Sequence, residues 1–244
     1  MKILLAGVLM MTTLVPVQAE TIEQAMAHTG RMENDRERDE RSRPEVILKL
    51  LEIKEGDRVA DIFAGGGYYS ELIGRVVSPG GEVLLHNNKP YASFAGKALE
   101  KRFKDRELVG VTRLDSEADA LGLGENSLDA AMIIMSYHDL YHTEEGWPPI
   151  DAADFMGQIV RALKPGGRFL LVDHAARTGT GNSAAQDLHR IEEAFVREDV
   201  ENFGLSYAGS SDVLRNPKDD GSLSPFNPLV RGQTDRFILV FKKP

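Results

Sequence analysis

The sequence predicts one α/β domain, built on a mainly parallel sheet with helices on both faces. Three observations carry that expectation. Short apolar runs alternate with amphipathic stretches along most of the chain, the rhythm of strand–helix–strand units. Turn-forming segments separate them, among them Lys54-Glu55-Gly56-Asp57, Ser78-Pro79-Gly80-Gly81 and Lys164-Pro165-Gly166-Gly167. The chain has 244 residues, 42% hydrophobic and 27% charged, which is enough to bury a core without disulfide or metal staples.

Residues 1–19 stand apart from this pattern. Lys2 precedes the mostly apolar run Ile3 to Val17, and Val17-Gln18-Ala19 precedes Glu20. A basic start, a short apolar stretch and small residues before a polar segment predict a secretory signal peptide cleaved after Ala19. The alternative is an uncleaved N-terminal anchor. Cleavage makes the mature chain periplasmic or secreted, with no stable membrane insertion afterwards. Residues 20–43 form a charged arm. Arg31, Arg36, Arg38, Arg41 and Arg43 are balanced by Glu33, Asp35, Glu37, Asp39 and Glu40, which suits a solvated helix, an extended arm or a cover over a pocket.

The main domain spans residues 44–244. Ser42-Arg43-Pro44-Glu45 has capping-box spacing, and the helix it opens presents Val46, Ile47, Leu50 and Leu51. Arg58 to Phe63 reads as a buried strand, and Gly65-Gly66-Gly67 opens a helix carrying Leu72, Ile73, Val76 and Val77. A second strand, Glu82 to His86, a helix near Tyr91 to Phe103 and a third strand near Leu108 to Leu114 follow. The fourth strand is Leu128 to Ser136, and the next helix bears Phe155, Ile159, Val160 and Leu163. The fifth strand is Arg168 to Asp173. A long helix with Leu188, Ile191, Phe195, Val196, Val200 and Phe203 ends near Gly204. A strand from Leu205, a polar loop over Asn216 to Gly232 and a last strand, Asp235 to Phe241, complete the chain. No helix separates these last two strands, so they pair antiparallel at the sheet edge.

Composition excludes several functions. A net charge of −9 argues against nucleic acid as a partner. With no cysteine, the chain has no disulfide, thiolate nucleophile, cysteine-ligated metal or lipoprotein anchor. Small molecules remain, and nothing in the sequence sets the oligomeric state.

The strongest local motif is Val59-Ala60-Asp61-Ile62-Phe63-Ala64-Gly65-Gly66-Gly67. Glycines at a strand–helix turn let backbone amides approach an anion, and the helix N-terminus adds partial positive charge. Such a turn also occurs as a bare tight bend. Together with Lys164-Pro165-Gly166-Gly167 and the terminal strand pair, the motif resembles that of class I S-adenosylmethionine-dependent methyltransferases, from about Arg43 to Phe241. More narrowly, Tyr137-His138-Asp139, Leu188-His189-Arg190-Ile191, Leu214-Arg215-Asn216-Pro217 and Arg231-Gly232-Gln233-Thr234-Asp235 resemble a group of bacterial predicted, exported methyltransferases.

The resemblance implies a Rossmann-like seven-stranded sheet in the order 3-2-1-4-5-7-6, the last strand antiparallel. It implies S-adenosylmethionine as cofactor and methyl transfer to an unidentified small-molecule acceptor. Asp61 and the turn Ala64-Gly65-Gly66-Gly67 would hold the cofactor's amino-acid end. Asn87 falls where the family places a ribose-binding acid, with Asn88 beside it, and Phe63 stands at the first glycine of the motif. Glu117, or its rival Asp119, would meet the adenine amino group.

Two other readings stand beside this one. A nicotinamide-dependent oxidoreductase would explain Gly65-x-Gly67-x-x-Ser70, but it wants an acid where His86, Asn87 and Asn88 lie. A secreted, non-catalytic binding module on the same fold would explain Phe63 and Asn87 as decay of the cofactor site. For catalysis, Ser136-Tyr137-His138-Asp139 follows the fourth strand, where open α/β sheets bind ligands. His138 is the candidate base, with Tyr137 shaping the substrate side; the structural alternative is a loop held by Tyr137 and Asp139. His189 and Arg190 suit a structural ion pair better than a substrate clamp. His138, His142 and His174 could converge at the strand ends, but no metal-binding spacing supports them, so no metal is expected. Gly179 and Gly181 mark a connecting loop or lid after Asp173-His174.

Overall fold

A computed structural model describes residues 18–244. The expected signal peptide, residues 1–19, therefore lies almost wholly outside the described residues. The strands are β1 (Arg58–Ile62), β2 (Glu82–Asn87), β3 (Val111–Asp115), β4 (Leu128–Ile134), β5 (Leu163–His174), β6 (Ser206–Ser211) and β7 (Arg236–Lys242). They form one sheet in the order β3-β2-β1-β4-β5-β7-β6, as the resemblance implied. Pairing is parallel from β3 through β5, and β7 runs antiparallel to both β5 and β6.

The helices are α1 (Ile22–Ala27), α2 (Glu33–Ser42), α3 (Pro44–Leu51), α4 (Tyr68–Val77), α5 (Lys89–Phe103), α6 (Ala152–Ala162), α7 (Ala184–Leu188) and α8 (Glu193–Asn202). Successive side chains along a strand point to opposite faces, so each strand feeds two cores. Val59, Val83, Met132, Leu170 and Ile238 pack with α1, α3 and α4. Ala60, Ile62, Ile133, Leu171 and Leu239 pack with α6 and α8. Burial on both faces explains why the strands read as apolar runs rather than alternating ones.

Four local expectations are corrected. Ser42 does not cap α3: it is the last residue of α2, its hydroxyl accepts from Arg38 Nε at 3.1 Å, and left-handed Arg43 takes the cap position. An N-cap needs an extended residue, which the end of a preceding helix cannot supply. The charged arm is not simply solvated. Arg31 is buried in a two-pronged pair with Asp39 (2.7 and 2.8 Å), and buried Asp35 meets Arg102 of α5 at 2.8 Å. β3 starts at Val111, since Gly110 before it is left-handed (φ 67). The long helix across Leu188 to Phe203 is broken at His189 (φ 49) into α7 and α8. Ile191 keeps its apolar place from an extended segment that bridges to Ala175, so the periodicity survives the break.

Candidate active site

β1 delivers the chain to a sharp bend. Phe63 adopts a left-handed backbone (φ 52), uncommon for a residue with a side chain. Its ring stacks on Tyr91 and Phe155, with centroids 4.7 and 5.2 Å away, which offsets the strain. Glycine is required next. A Cβ on Gly66 would lie 2.8 Å from Ala98 Cβ, and one on Gly67 only 2.6 Å from Leu85 Cδ1. α5 can close on the bend only because Gly66 has no side chain, while the bare Gly67 leaves room for Leu85 of β2. Asp61 lies buried at the end of β1 and accepts from Ser70 Oγ at 2.6 Å. Burial pushes the Asp61 carboxyl up to about 6, against the opposing pull of the Ser70 bond.

Asn87 turns out to be part of this bend. Gly65 N donates to Asn87 Oδ1 at 2.9 Å, and Asn87 Nδ2 donates back to Gly65 O at 3.0 Å. The side chain is fully buried, with both polar atoms committed to Gly65, so it is not a free partner for a ribose. That explains the departure from an acid at this position. An ionised carboxylate would accept from Gly65 N but would leave the Gly65 carbonyl without a donor. Asn88 caps α5 by accepting from Tyr91 N at 3.0 Å.

A cavity of about 610 Å³ opens beyond the C-terminal ends of β1, β4 and β5. Ala64, Gly65, Gly66 and Ser136 line it, with Tyr91 and Trp147 as aromatic wall. Phe94 and Phe226, 79% and 58% exposed, add apolar surface to its lining. Arg38 reaches it from α2, the one residue of the arm in its lining. Asp61 and Gly67 support the bend without lining the cavity. Glu117 and Asp119 line a separate cavity of about 270 Å³ together with Asn88. Trp147 lines the first cavity and its chain neighbour Pro148 the second.

His138 opens a short 3₁₀ turn, His138–Tyr141, after β4. Its backbone N–H donates to Asp173 Oδ2 and its Nδ1 lies 2.8 Å from Asp173 Oδ1 at the end of β5. Nε2 is 3.3 Å from Asp139 Oδ1. Burial opposes charge on the ring, but Asp173 and then Asp139 outweigh it and push His138 up to about 9. His174, also lining the cavity, goes the other way: burial and the neighbouring cation His138 hold it well below the usual range. Tyr137 does not shape the substrate side. Its ring is fully buried in the core and its hydroxyl donates to Asp199 of α8 at 2.6 Å. Tyr91 lines the cavity, donating to Asp139 Oδ2 at 2.5 Å.

Sequence reasoning missed Tyr91, Trp147, Phe226 and Arg38 as cavity residues, and it undervalued His189, which lines the cavity too. Their places in the chain, far from the glycine bend, carry no local signal. Arg190 is structural, as expected: fully buried, it pairs with Asp219 and donates to the carbonyls of Ala175 and Leu223.

The reversed β7 and the glycine bend after β1 define the class I methyltransferase fold. No protein-family model matches the chain. It is 27% identical over 143 residues to the ubiquinone/menaquinone biosynthesis C-methyltransferase UbiE of Pseudomonas putida, covering 58% of this chain and 51% of that one. To the same-named enzyme of Pseudomonas paraeruginosa it is 26% identical over 191 residues, covering 78% and 69%. The chain thus spans about half the length of the first of these relatives. Among solved structures, a SAM-dependent methyltransferase from Aquifex aeolicus aligns with a TM-score of 0.58 at 19% identity, over 86% of this chain and 97% of that one. The [4+2]-cyclase SpnF aligns with a TM-score of 0.57 at 16% identity, over 84% and 80%, so the fold alone does not set the reaction. Sequence and fold together place the chain in the class I S-adenosylmethionine-dependent methyltransferase superfamily.

Proposed function

We propose that the chain transfers a methyl group from S-adenosylmethionine to a small, planar, largely apolar acceptor. The observation that carries this is the 610 Å³ cavity, which joins the glycine bend to His138 and Asp139 under an aromatic wall. The residues fit the donor at both ends. Gly66 lines the cavity, and its amide has no backbone or side-chain acceptor among the described residues. With the Arg38 guanidinium nearby, it suits a carboxylate. Glu117 and Asp119 in the second cavity suit an adenine amino group. When bound, the donor supplies an electrophilic methyl carbon on a sulfonium.

Tyr91, Trp147 and Phe63 hold a flat acceptor by stacking and keep water from it. Asp173 fixes the His138 ring, and once the ring, pushed up to about 9, has given up its own proton, Nε2 receives the proton that an oxygen or carbon acceptor loses as the methyl bond forms, so turnover should rise with pH toward 9. His138→Gln with unchanged turnover would remove that role. Binding is tested by calorimetry and thermal unfolding with S-adenosylmethionine and with its demethylated product. Ligand at ~100 times its dissociation constant stabilises by about 2.7 kcal/mol, or ~5–11 °C for a chain of this size. Absence of any shift with either compound, against a shift with another metabolite, means a binding module instead. We also propose export, on the strength of residues 1–19; N-terminal sequencing of the protein from a periplasmic extract should begin at Glu20.

A further inference from the structure

Of the six histidines in the chain, His138, His142, His174 and His189 line the 610 Å³ cavity. Four imidazoles at one place exceed what a single proton transfer needs. The geometry points to a site for a first-row divalent metal ion, held by His138 Nε2, Asp139 Oδ1 and His189 Nδ1, with His142 Nε2 as a further donor. The first three donor atoms lie within 4.8 Å of one another. His138 Nε2 is 3.3 Å and His189 Nδ1 3.8 Å from Asp139 Oδ1. Ligands around a tetrahedral zinc ion sit roughly 3.4 Å apart, given bonds of about 2.0–2.1 Å. The His138–Asp139 separation already matches. His189 must move about 0.4 Å closer to Asp139, and its side chain, at 22% exposure, is the least confined of the three.

The supporting contacts are independent of those distances. Ligating histidines commonly donate their second ring N–H to a carboxylate or carbonyl, which orients the ring and leaves the other nitrogen bare. His138 Nδ1 is engaged by Asp173 at 2.8 Å. His142 Nδ1 faces the Gln186 carbonyl at 3.2 Å, which forces the hydrogen onto Nδ1. His142 Nε2 is buried with no hydrogen-bond partner among the described residues, the nearest carboxylate oxygen, Glu144 Oε2, standing 3.8 Å away. An orphaned buried ring nitrogen of this kind calls for a ligand. The His142 and His189 rings lie 4.4 Å apart, centre to centre. Asp139 is steered likewise, since Tyr91 donates to Oδ2 and leaves Oδ1 to the histidines. Imidazole and carboxylate donors without thiolate suit zinc, iron, cobalt or nickel rather than copper(I) or calcium. In the loaded form His138 Nε2 binds the ion in place of a proton.

The test is direct metal binding, separate from any methyl transfer. Tag-free full-length protein, stripped with a chelator and desalted, is titrated with Co2+ in the visible d–d region and with Zn2+ by calorimetry. One equivalent per chain is expected. His189→Ala should weaken Co2+ binding at least ~100-fold, beyond the ~10–100-fold typical when only a supporting residue is lost. His142→Gln should weaken it too, and His28→Ala, outside the cluster, should not. Circular dichroism melts confirm that the variants fold; His189 sits at a partly exposed break between helices, so its truncation spares the core. No stoichiometric uptake by the parent protein, or an unchanged affinity in folded His189→Ala, would overturn the site and leave a histidine–carboxylate network only.

Discussion

Replacing Asn87 by Asp changes one atom and isolates what position 87 does. In the parent, Oδ1 accepts from Gly65 N and Nδ2 donates to Gly65 O, in a fully buried pocket. A protonated carboxyl reproduces both bonds through its O–H; an ionised one loses the donor and buries a charge against a carbonyl. Folding therefore forces the new carboxyl to stay protonated, raising its pKa above the unfolded value of about 3.9. A group whose folded pKa is raised above its unfolded one destabilises progressively as pH climbs past the unfolded value. The slope is ~1.4 kcal/mol per pH unit, so the variant should match the parent near pH 4 and lose up to ~4 kcal/mol by pH 7. Urea unfolding of both proteins at half-unit steps from pH 4.5 to 7.5 measures the divergence. A difference that stays flat with pH refutes the two-way clamp. If instead position 87 contacts the donor's ribose, Asn87→Asp should tighten donor binding with no pH-dependent loss of stability.

Other outcomes follow from the same contacts. Arg190→Met leaves Asp219 charged and unpaired in the interior, and should cost about 3–5 kcal/mol in chemical unfolding, with little loss if Asp219 finds water instead. Phe63→Gly relieves the left-handed strain but empties the stack with Tyr91 and Phe155; a net loss of about 2–4 kcal/mol in thermal unfolding is expected, and a gain would show that the ring contributes no packing. The Asp61 carboxyl should titrate near about 6 by carbon-13 NMR, and Ser70→Ala should move that midpoint upward by removing the bond that favours the charged form. Because its folded pKa exceeds the unfolded one, Asp61 works against folding increasingly as pH rises from about 4 to 6, so Asp61→Asn should gain on the parent across that window. Arg38→Gln should weaken binding of the demethylated cofactor about tenfold in calorimetry while leaving the melting temperature within ~2 °C; equal affinity would remove Arg38 from the donor site.

The alternation of strands and helices, the glycine bend and the buried apolar runs were legible in the chain because each is local. A strand buried on both faces must be a continuous apolar run, and a bend that α5 meets at Gly66 and β2 meets at Gly67 must lack side chains there. The strand order needed the likeness to a known family, since parallel neighbours are distant in sequence. His138 was found by its position after β4. Its setting between Asp139 and Asp173, 35 residues apart from the latter, was not visible. The break at His189 was hidden because Ile191 keeps the apolar spacing of a helix it does not belong to. The sequence by itself decided which residues are buried and where the chain turns, through backbone sterics and the aversion of apolar groups to water. Only the tertiary structure decided that Asn87 clamps Gly65, that Tyr137 faces away from the cavity, and that histidines from three separate segments meet. Those outcomes depend on side-chain direction and on distances set by folding, neither of which spacing along the chain encodes.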